Sequence, residues 1–344
     1  MVKTIFVVDD SDTNLSTAEE VLEEQYRVMT LPSAAKMFAL LEKIIPDLIL
    51  LDIEMPEMDG FEALQLLKSS DSLASIPVIF LTAKTDSATE VRGFELGVID
   101  FIAKPFSGPV LLNRIKTHLH IDELIRERTM QLEQLQNGLV YALADIVESR
   151  DKGTGGHIER TSAYMKILIN EMVACGVYAD ELDKLNLESL ISSSRLHDIG
   201  KIAIPDGVLN KHGSLTLEEF EMMKSHTIEG EKIIDKITYR TGCETSFLQN
   251  AKLFASCHHE RWDGSGYPAG LKETEIPLQG RIMAVVDVYD ALVAKRPYKK
   301  SFTKEEAVNF ITENAGKLFD PLIVDVFLKV KDQFNSVIDD DSDF

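Results

Sequence analysis

The sequence predicts two folds in tandem: a doubly wound parallel α/β domain with a five-stranded sheet, and after it an all-helical bundle. Three observations predict this. Over residues 1–119, short apolar runs alternate five times with helix-forming stretches, as repeated βα units require. From about Leu139 onward the apolar spacing is helical throughout, and no strand-like alternation lasts more than a few residues. A chain of 344 residues with 44% hydrophobic content is also long enough to bury two ordinary cores rather than one.

Each element has its own signal. Strands are expected at TIFVV, YRVMT, DLILL, PVIFL and DFIA, with helices from Asn14 to Glu24, through Lys43, after Gly60, near Glu90 and after DFIA. Residues 120–138 form a connecting helix, charged and free of proline. Its apolar residues recur at Ile121, Ile125, Leu132, Leu135 and, just beyond it, Leu139, broken only at Arg128, a seam of about three heptads. That seam predicts a parallel coiled-coil homodimer. A helix lying on its own domain is the alternative, because so short a seam is marginal alone. In the helical domain, residues 139–331, a helix through Val147 ends in the loop RDKGTGGH, and another begins near His157 and runs to Cys175. A helix ending at His197 and Asp198 is expected to stop at Gly200 as its C-terminal glycine. Thr216 and Glu219 form a capping box for the helix expected to carry His226, and Asp287 lies on a helix opened by Arg281. Residues 332–344, ending in DDDSDF, are expected to be a disordered acidic tail.

The formal net charge of −21 disfavours binding to nucleic-acid polymers or anionic lipid, whose phosphates most of the surface would repel. A phosphorylated ligand would need local cations. The apolar run from Ile5 to Val8 is cut off by Asp9 and Asp10, too short for a signal peptide or a membrane span, so a soluble cytoplasmic protein is expected. Cys175, Cys243 and Cys257 form no CxxC pair, which fits a reducing compartment. Cys257, beside two histidines, reads as a lone buried thiol rather than a ligand.

Doubly wound sheets place their site beyond the carboxyl ends of the strands, and here those ends carry Asp9, Asp10, Asp52, Thr82 and Lys104. Carboxylates crowded at one edge repel one another unless a hard cation such as Mg²⁺ sits among them, and Asp52 could then accept a phosphoryl group. With VVDD, LDIEMPEMDG, LTAK and AKPF at those ends, residues 1–119 resemble the receiver domains of two-component response regulators. The resemblance implies that Asp52 is the phosphoacceptor and that Asp9 and Asp10 hold Mg²⁺ beside it. It further implies that Thr82 and Lys104 contact the phosphoryl group, that Phe101 reorients on activation, and that a sensor histidine kinase is the phosphodonor. The bond from Lys104 to Pro105 is a candidate cis bond.

The densest chemistry lies in HHERWDGSGYP, residues 258–268. Beside His258 and His259 stand His157, His197, His226 and the carboxylates Asp198 and Asp287, on several helical segments. Bundles gather such ligands into their core. Adjacent His and Asp on a helix point about 100° apart, so His197 could bind one ion while Asp198 bridges to a second. Imidazole and carboxylate without thiolate favour Fe or Mn over a structural Zn site, and two ions suit phosphate ester hydrolysis. HDIGK followed by HHERWDGSGYP resembles the HD-GYP branch of the HD phosphohydrolases from about Leu139 to Lys331. The resemblance implies hydrolysis of cyclic di-GMP to linear pGpG, carried in many family members onward to GMP. It implies His157, His197, Asp198, His226, His258, His259 and Asp287 as ligands of two Fe or Mn ions, with Lys201 near the water and phosphate. Gly266, Tyr267 and Pro268 form the named loop, and Arg296 and Lys299 match phosphate-binding positions. KRPYKK puts four cations into six residues of an acidic chain, where an anionic dinucleotide would need them. Some family members carry a glutamate four residues before the first histidine ligand and hold a third metal; Gly153 stands there, so two metals are expected.

The expectation is therefore a homodimeric response regulator that hydrolyses cyclic di-GMP under control of phosphorylation at Asp52. The alternatives are a phosphodiesterase for another cyclic dinucleotide, a cyclic di-GMP sensor acting through protein contacts, and a scaffold whose output is dimerisation.

Overall fold

The computed structural model describes all residues except 1, 71, 84–86, 152–155, 295–300 and 341–344, and only the backbone of 338–340. Two compact units divide at Leu132 and Glu133.

The first unit alternates β1 (Thr4–Val8), α1 (Asp12–Leu22), β2 (Arg27–Leu31), α2 (Ala34–Leu41), β3 (Leu48–Asp52), α3 (Gly60–Ser69), β4 (Val78–Thr82), α4 (Ser87–Glu95) and β5 (Asp100–Ala103). The sheet order is β2-β1-β3-β4-β5 and every pairing is parallel, the expected doubly wound arrangement. Alternation along the strands divides the core in two. Ile5, Val7, Leu48, Leu50, Ile79 and Leu81 face Leu15, Ala18, Leu111 and Ile115, while Phe6, Val8, Ile49, Leu51 and Phe80 face Met37, Phe61 and Leu64. Every residue of β3 and β4 is buried, which is why both read as unbroken apolar runs ending in one polar residue, Asp52 or Thr82.

The receiver's last helix, the connecting segment and the first helix of the second domain are not separate. They form one helix, α5 (Gly108–Arg150), because its sequence contains no proline after Pro109 and no strong stop. Leu111, Ile115 and Leu119 lie in the receiver core, and Val140 and Val147 lie in a core of the second unit. The seam residues Ile121, Ile125, Leu132, Leu135 and Leu139 are 46% to 67% exposed.

The second unit is all-helical, as expected. After α5 come α6 (His157–Cys175), α7 (Ala179–Leu182), α8 (Leu187–Ser193), α9 (Asp206–Leu209), α10 (Leu217–Lys224), α11 (His226–Thr241), α12 (Ser246–Cys257), α13 (Leu278–Val293), α14 (Lys304–Glu313) and α15 (Pro321–Asp340). Four expectations need correction. His197 and Asp198 do not end an α-helix; they sit between two short 3₁₀ turns, Ser194–Leu196 and Ile199–Ala203. Gly200 lacks the positive φ of a cap and serves a close approach instead. A Cβ there would lie 1.8 Å from the His226 carbonyl oxygen and 2.5 Å from the Gly230 nitrogen. The Thr216–Glu219 capping box does open a helix, but that helix stops at Lys224 and His226 begins the next one. Asp287 lies on α13, which starts at Leu278 rather than Arg281; the Arg281 side chain is buried in an ion pair with Asp320. The segment expected to be disordered from residue 332 continues α15 to Asp340, because Phe334 anchors it in the core. Among the described residues, no helix is long and apolar enough to cross a membrane.

Candidate metal centre and phosphoacceptor site

The seven residues singled out as ligands converge. His157 opens α6, His197 and Asp198 lie between the 3₁₀ turns, His226 opens α11, His258 and His259 follow α12, and Asp287 projects from α13. Ligand atoms of His157, His197 and Asp198 lie within 4.8 Å of one another, and so do those of His226, His258 and His259. Asp198 faces both groups. Its Oδ2 is 3.4 Å from His197 Nε2, while its Oδ1 is 3.5 Å from His226 Nε2 and 3.7 Å from His258 Nε2. Asp287 Oδ1 stands 3.8 Å from His157 Nε2.

The tautomers follow from the partners. Nδ1 of His197, His226 and His258 lies 2.9, 2.7 and 2.9 Å from the carbonyls of Ser194, Met223 and Phe254. A carbonyl only accepts, so each Nδ1 carries the proton and each Nε2 keeps its lone pair. His157 Nδ1 donates in the same way to Asp290 at 2.7 Å. The Nε2 atoms then meet in pairs, His157 with His197 and His226 with His258, both at 3.3 Å. Opposed lone pairs repel unless a cation lies between or beside them.

The surrounding charges say which cation fits. Burial, then the neighbouring His259, His197 and His226 imidazoles, hold His258 well below the usual histidine range, and burial pushes His259 down to about 3. Burial also lowers His226, the nearby Asp198 notwithstanding. A proton is therefore disfavoured in that group, and a divalent ion, which binds neutral imidazole, fits its donors. At the other group burial opposes a charge on His157, but Asp290, Asp287 and Asp198 outweigh it and raise the imidazole, the field of a site built for positive charge. Burial likewise opposes ionisation of Asp198, yet Lys201, His197 and His226 keep it well below the usual carboxylate range. Lys201 Nζ is 2.7 Å from Asp198 Oδ2 and 3.3 Å from Asp151, and these carboxylates overcome burial to hold its ammonium charged.

The expected loop covers one side of the second group. The Tyr267 ring leans on His259 with centroids 4.8 Å apart. Gly266 packs so closely on the chain behind it that a Cβ would stand 2.3 Å from the Arg261 nitrogen. Pro268 follows a cis bond. Cys257 is buried and its thiol is raised by burial, as expected of a structural cysteine. Arg296, Lys299 and Gly153 lie outside the described residues.

Sequence reasoning missed the groups that hold these ligands. Asp290, buried on α13, accepts from His157 Nδ1 and from Arg160 Nε at 2.7 Å and Nη2 at 3.0 Å. The i,i+3 spacing of His157 with Arg160 and of Asp287 with Asp290 was the available signal. Glu260, the acid of HHE, is buried and accepts from the amides of Ala269 and Leu271, so it shapes the loop. Glu148, Arg150 and Asp151, at the end of α5, carried no motif.

In the first unit, ligand atoms of Asp9, Asp10 and Asp52 lie within 4.8 Å of one another at the ends of β1 and β3. Lys104 Nζ spans Asp9 Oδ2 at 2.6 Å and Asp52 Oδ1 at 2.7 Å, and Asn14 donates to Asp9. Burial leads in raising Asp52, with Asp9 adding to it and Lys104 opposing, as expected where a cation is needed. Thr82 is buried at the end of β4, Phe101 packs edge-on against Phe80 and Phe94, and the Lys104–Pro105 bond is cis.

Comparison with known proteins places both domains in known families. The response regulator receiver domain model matches residues 5–116, and the HD domain model matches residues 141–323. A "Probable cyclic di-GMP phosphodiesterase" of Vibrio cholerae is 39% identical, over 96% of this chain and 78% of that protein. The "Cyclic di-GMP phosphodiesterase response regulator RpfG" of Xanthomonas campestris is 34% identical, over 97% and 89%. A "3'3'-cGAMP-specific phosphodiesterase 2" of Vibrio cholerae is 38% identical, over 60% of this chain and 37% of that protein. With full-length relatives at this identity and both domain models in the same order, the chain belongs to the response regulators that couple a receiver domain to an HD domain of the metal-dependent hydrolase family.

Proposed function

We propose that this protein is a cytoplasmic, homodimeric phosphodiesterase that opens cyclic di-GMP to pGpG at two Fe or Mn ions, under control of phosphorylation at Asp52. The observation that carries the reading is the pair of histidine groups sharing Asp198, whose two oxygens each face one group. His157, His197, Asp198 and Asp287 would hold one ion, and His226, His258, His259 and Asp198 the other. When bound, the ions supply Lewis-acid charge at phosphorus and acidify water.

The chain's own groups do the rest. The Lys201 ammonium, beside Asp198, adds positive charge where a phosphoryl oxygen gains negative charge. Water attacks phosphorus, the bond to the ribose 3′ oxygen breaks, and that oxygen takes a proton, leaving a linear dinucleotide. Tyr267 leans on His259 and keeps it in place, while Arg296 and Lys299 are the candidates for the second phosphate. With Gly153 where a third-metal ligand would stand, pGpG is the expected main product. In the receiver, Asp9, Asp10 and Asp52 would hold Mg²⁺, Lys104 and Thr82 would contact the phosphoryl group donated by a sensor kinase, and Phe101 would report the change. The exposed seam of α5 would pair with a second copy.

The test is chromatography of cyclic di-GMP incubated with anaerobically purified protein carrying Fe(II) or Mn(II), beside the double variant His197→Ala, Asp198→Ala. Accumulation of pGpG with wild type alone is expected. No turnover with either metal, with and without a phosphoryl mimic on Asp52, refutes the enzyme reading. The cyclic GMP-AMP relative motivates running that substrate in parallel, and faster turnover of it reassigns the substrate.

A further inference from the structure

The end of α5 holds the catalytic segment of the second unit more closely than any motif suggested. Arg150, the last residue of the helix, points its guanidinium into the chain that follows Asp198. Nη1 donates to the carbonyls of Ile202 at 2.8 Å and Lys201 at 3.4 Å; Nη2 donates to the carbonyl of Ile204 at 3.0 Å and to Asp206 at 2.7 Å. The Arg150 carbonyl in turn accepts from Asn210. The Lys201 carbonyl also accepts from the Ile204 amide at 3.0 Å as the 3₁₀ turn closes, and the rigid five-donor fork of arginine binds it together with the Ile202 and Ile204 carbonyls. The flanking residues touch the centre as well. Asp151 pairs with Lys201 Nζ, and Glu148, half a turn before Arg150, accepts from the His157 amide at 2.9 Å. Gly156 has no side chain to cap α6, so Glu148 does this from another helix.

We propose that Arg150 is a positioning residue for Lys201 and the point at which a change in α5 reaches the metal centre. The inference rests on the proposed control by Asp52. α5 is one helix from Gly108, with residues in the receiver core, to Arg150. A shift or rotation of its last turn must move the Arg150 fork, and with it the carbonyls on either side of Lys201, while the Asp151 carboxylate gains or loses its share of the ammonium that Asp198 also holds. Among the described residues Arg150 bonds none of the candidate ligands, so its effect falls on alignment rather than on ion binding.

The experiment uses full-length wild type, Arg150→Gln and Arg150→Lys, each with and without beryllofluoride and Mg²⁺ as the phosphoryl mimic. Hydrogen exchange of residues 199–206 is read beside turnover of cyclic di-GMP. In wild type the mimic is expected to change exchange across 199–206. In Arg150→Gln the receiver amides still respond and residues 199–206 do not. Its kcat falls roughly 10- to 100-fold, with KM within about twofold and metal content unchanged. Arg150→Lys, which keeps the charge and folds where the glutamine variant fails, lies between them. Equal responses of 199–206 in wild type and both variants refute the relay and leave the control by Asp52 standing. No response of 199–206 in any of them, while the receiver responds, refutes relay and control together. A wild type that shows the exchange response without turnover refutes the enzyme reading and supports the relay.

Discussion

Asp290→Asn isolates the part of the centre that the sequence concealed. Among the described residues, the hydrogen-bond partners of the Asp290 carboxylate are donors: His157 Nδ1 and Arg160 Nε at 2.7 Å, and Arg160 Nη2 at 3.0 Å. An amide of the same shape must turn its NH₂ toward one of them. Each charge-assisted bond removed costs about 1.5–3 kcal/mol, and separating a buried arginine from its carboxylate costs about 3–5 kcal/mol. These describe the same broken contact and do not add, so metal-free protein should lose about 3–5 kcal/mol of stability. The effect on the ion follows a different route. Without a fixed acceptor, His157 no longer keeps its proton on Nδ1 and its lone pair on the Nε2 that faces His197 and Asp287. Loss of such a partner weakens metal binding about 10- to 100-fold. Mn(II) titration against a competing chelator gives the second quantity and thermal unfolding of stripped protein the first, with Asp290→Ala as a variant that presents no donor. A folded Asp290→Asn that binds Mn(II) as tightly as wild type refutes the argument that this carboxylate sets the histidine.

Other expectations are read by simpler assays. Glu260→Ala takes the buried carboxylate acceptor from the part-buried Ala269 and Leu271 amides, a loss of about 1–3 kcal/mol in all; KM for cyclic di-GMP should rise with metal content kept, and an unchanged KM and melting temperature refute the role given to the loop. Asp100 accepts from Arg114 and His118, which with the Phe101 amide outweigh burial and lower its carboxyl. A lowered carboxyl adds stability above its unfolded value that is lost as pH falls through the folded one. Asp100→Asn should thus melt below wild type at neutral pH, with the gap closing in acid; a gap independent of pH refutes this. The double variant Leu132→Glu, Leu135→Glu places charges in the exposed seam and should sediment as a monomer, against the dimer proposed for wild type; equal masses refute pairing through α5.

The fold was legible where one physical rule acts locally. Unbroken apolar runs such as LILLD mark strands covered on both faces, and each ends at a polar residue on the carboxyl edge of the sheet, where the site lies. What could not be read was where one helix becomes another. Residues 108–150 contain three segments of distinct composition, and nothing in composition says that hydrogen bonding never breaks between them. Gly200 misled for a related reason. Glycine marks both a left-handed cap and a place where another backbone comes close, and only the nearness of His226 and Gly230 separates the two meanings.

The centre divides the same way, between atoms that define chemistry and atoms that aim it. Histidine and aspartate in HDIGK and HHERWDGSGYP are legible because few residue types can donate an electron pair to a cation. The aiming is done by carbonyls of Ser194, Met223 and Phe254, which every sequence possesses, and by Asp290, an acid among many. All four act alike: each fixes a proton on Nδ1 and so commits Nε2 to the centre. Opposed nitrogens at 3.3 Å are the cost of that commitment, tolerable only with a cation beside them. A motif can thus be intact while the site is useless, and an intact His197 with a displaced Ser194 carbonyl would read identically in the sequence.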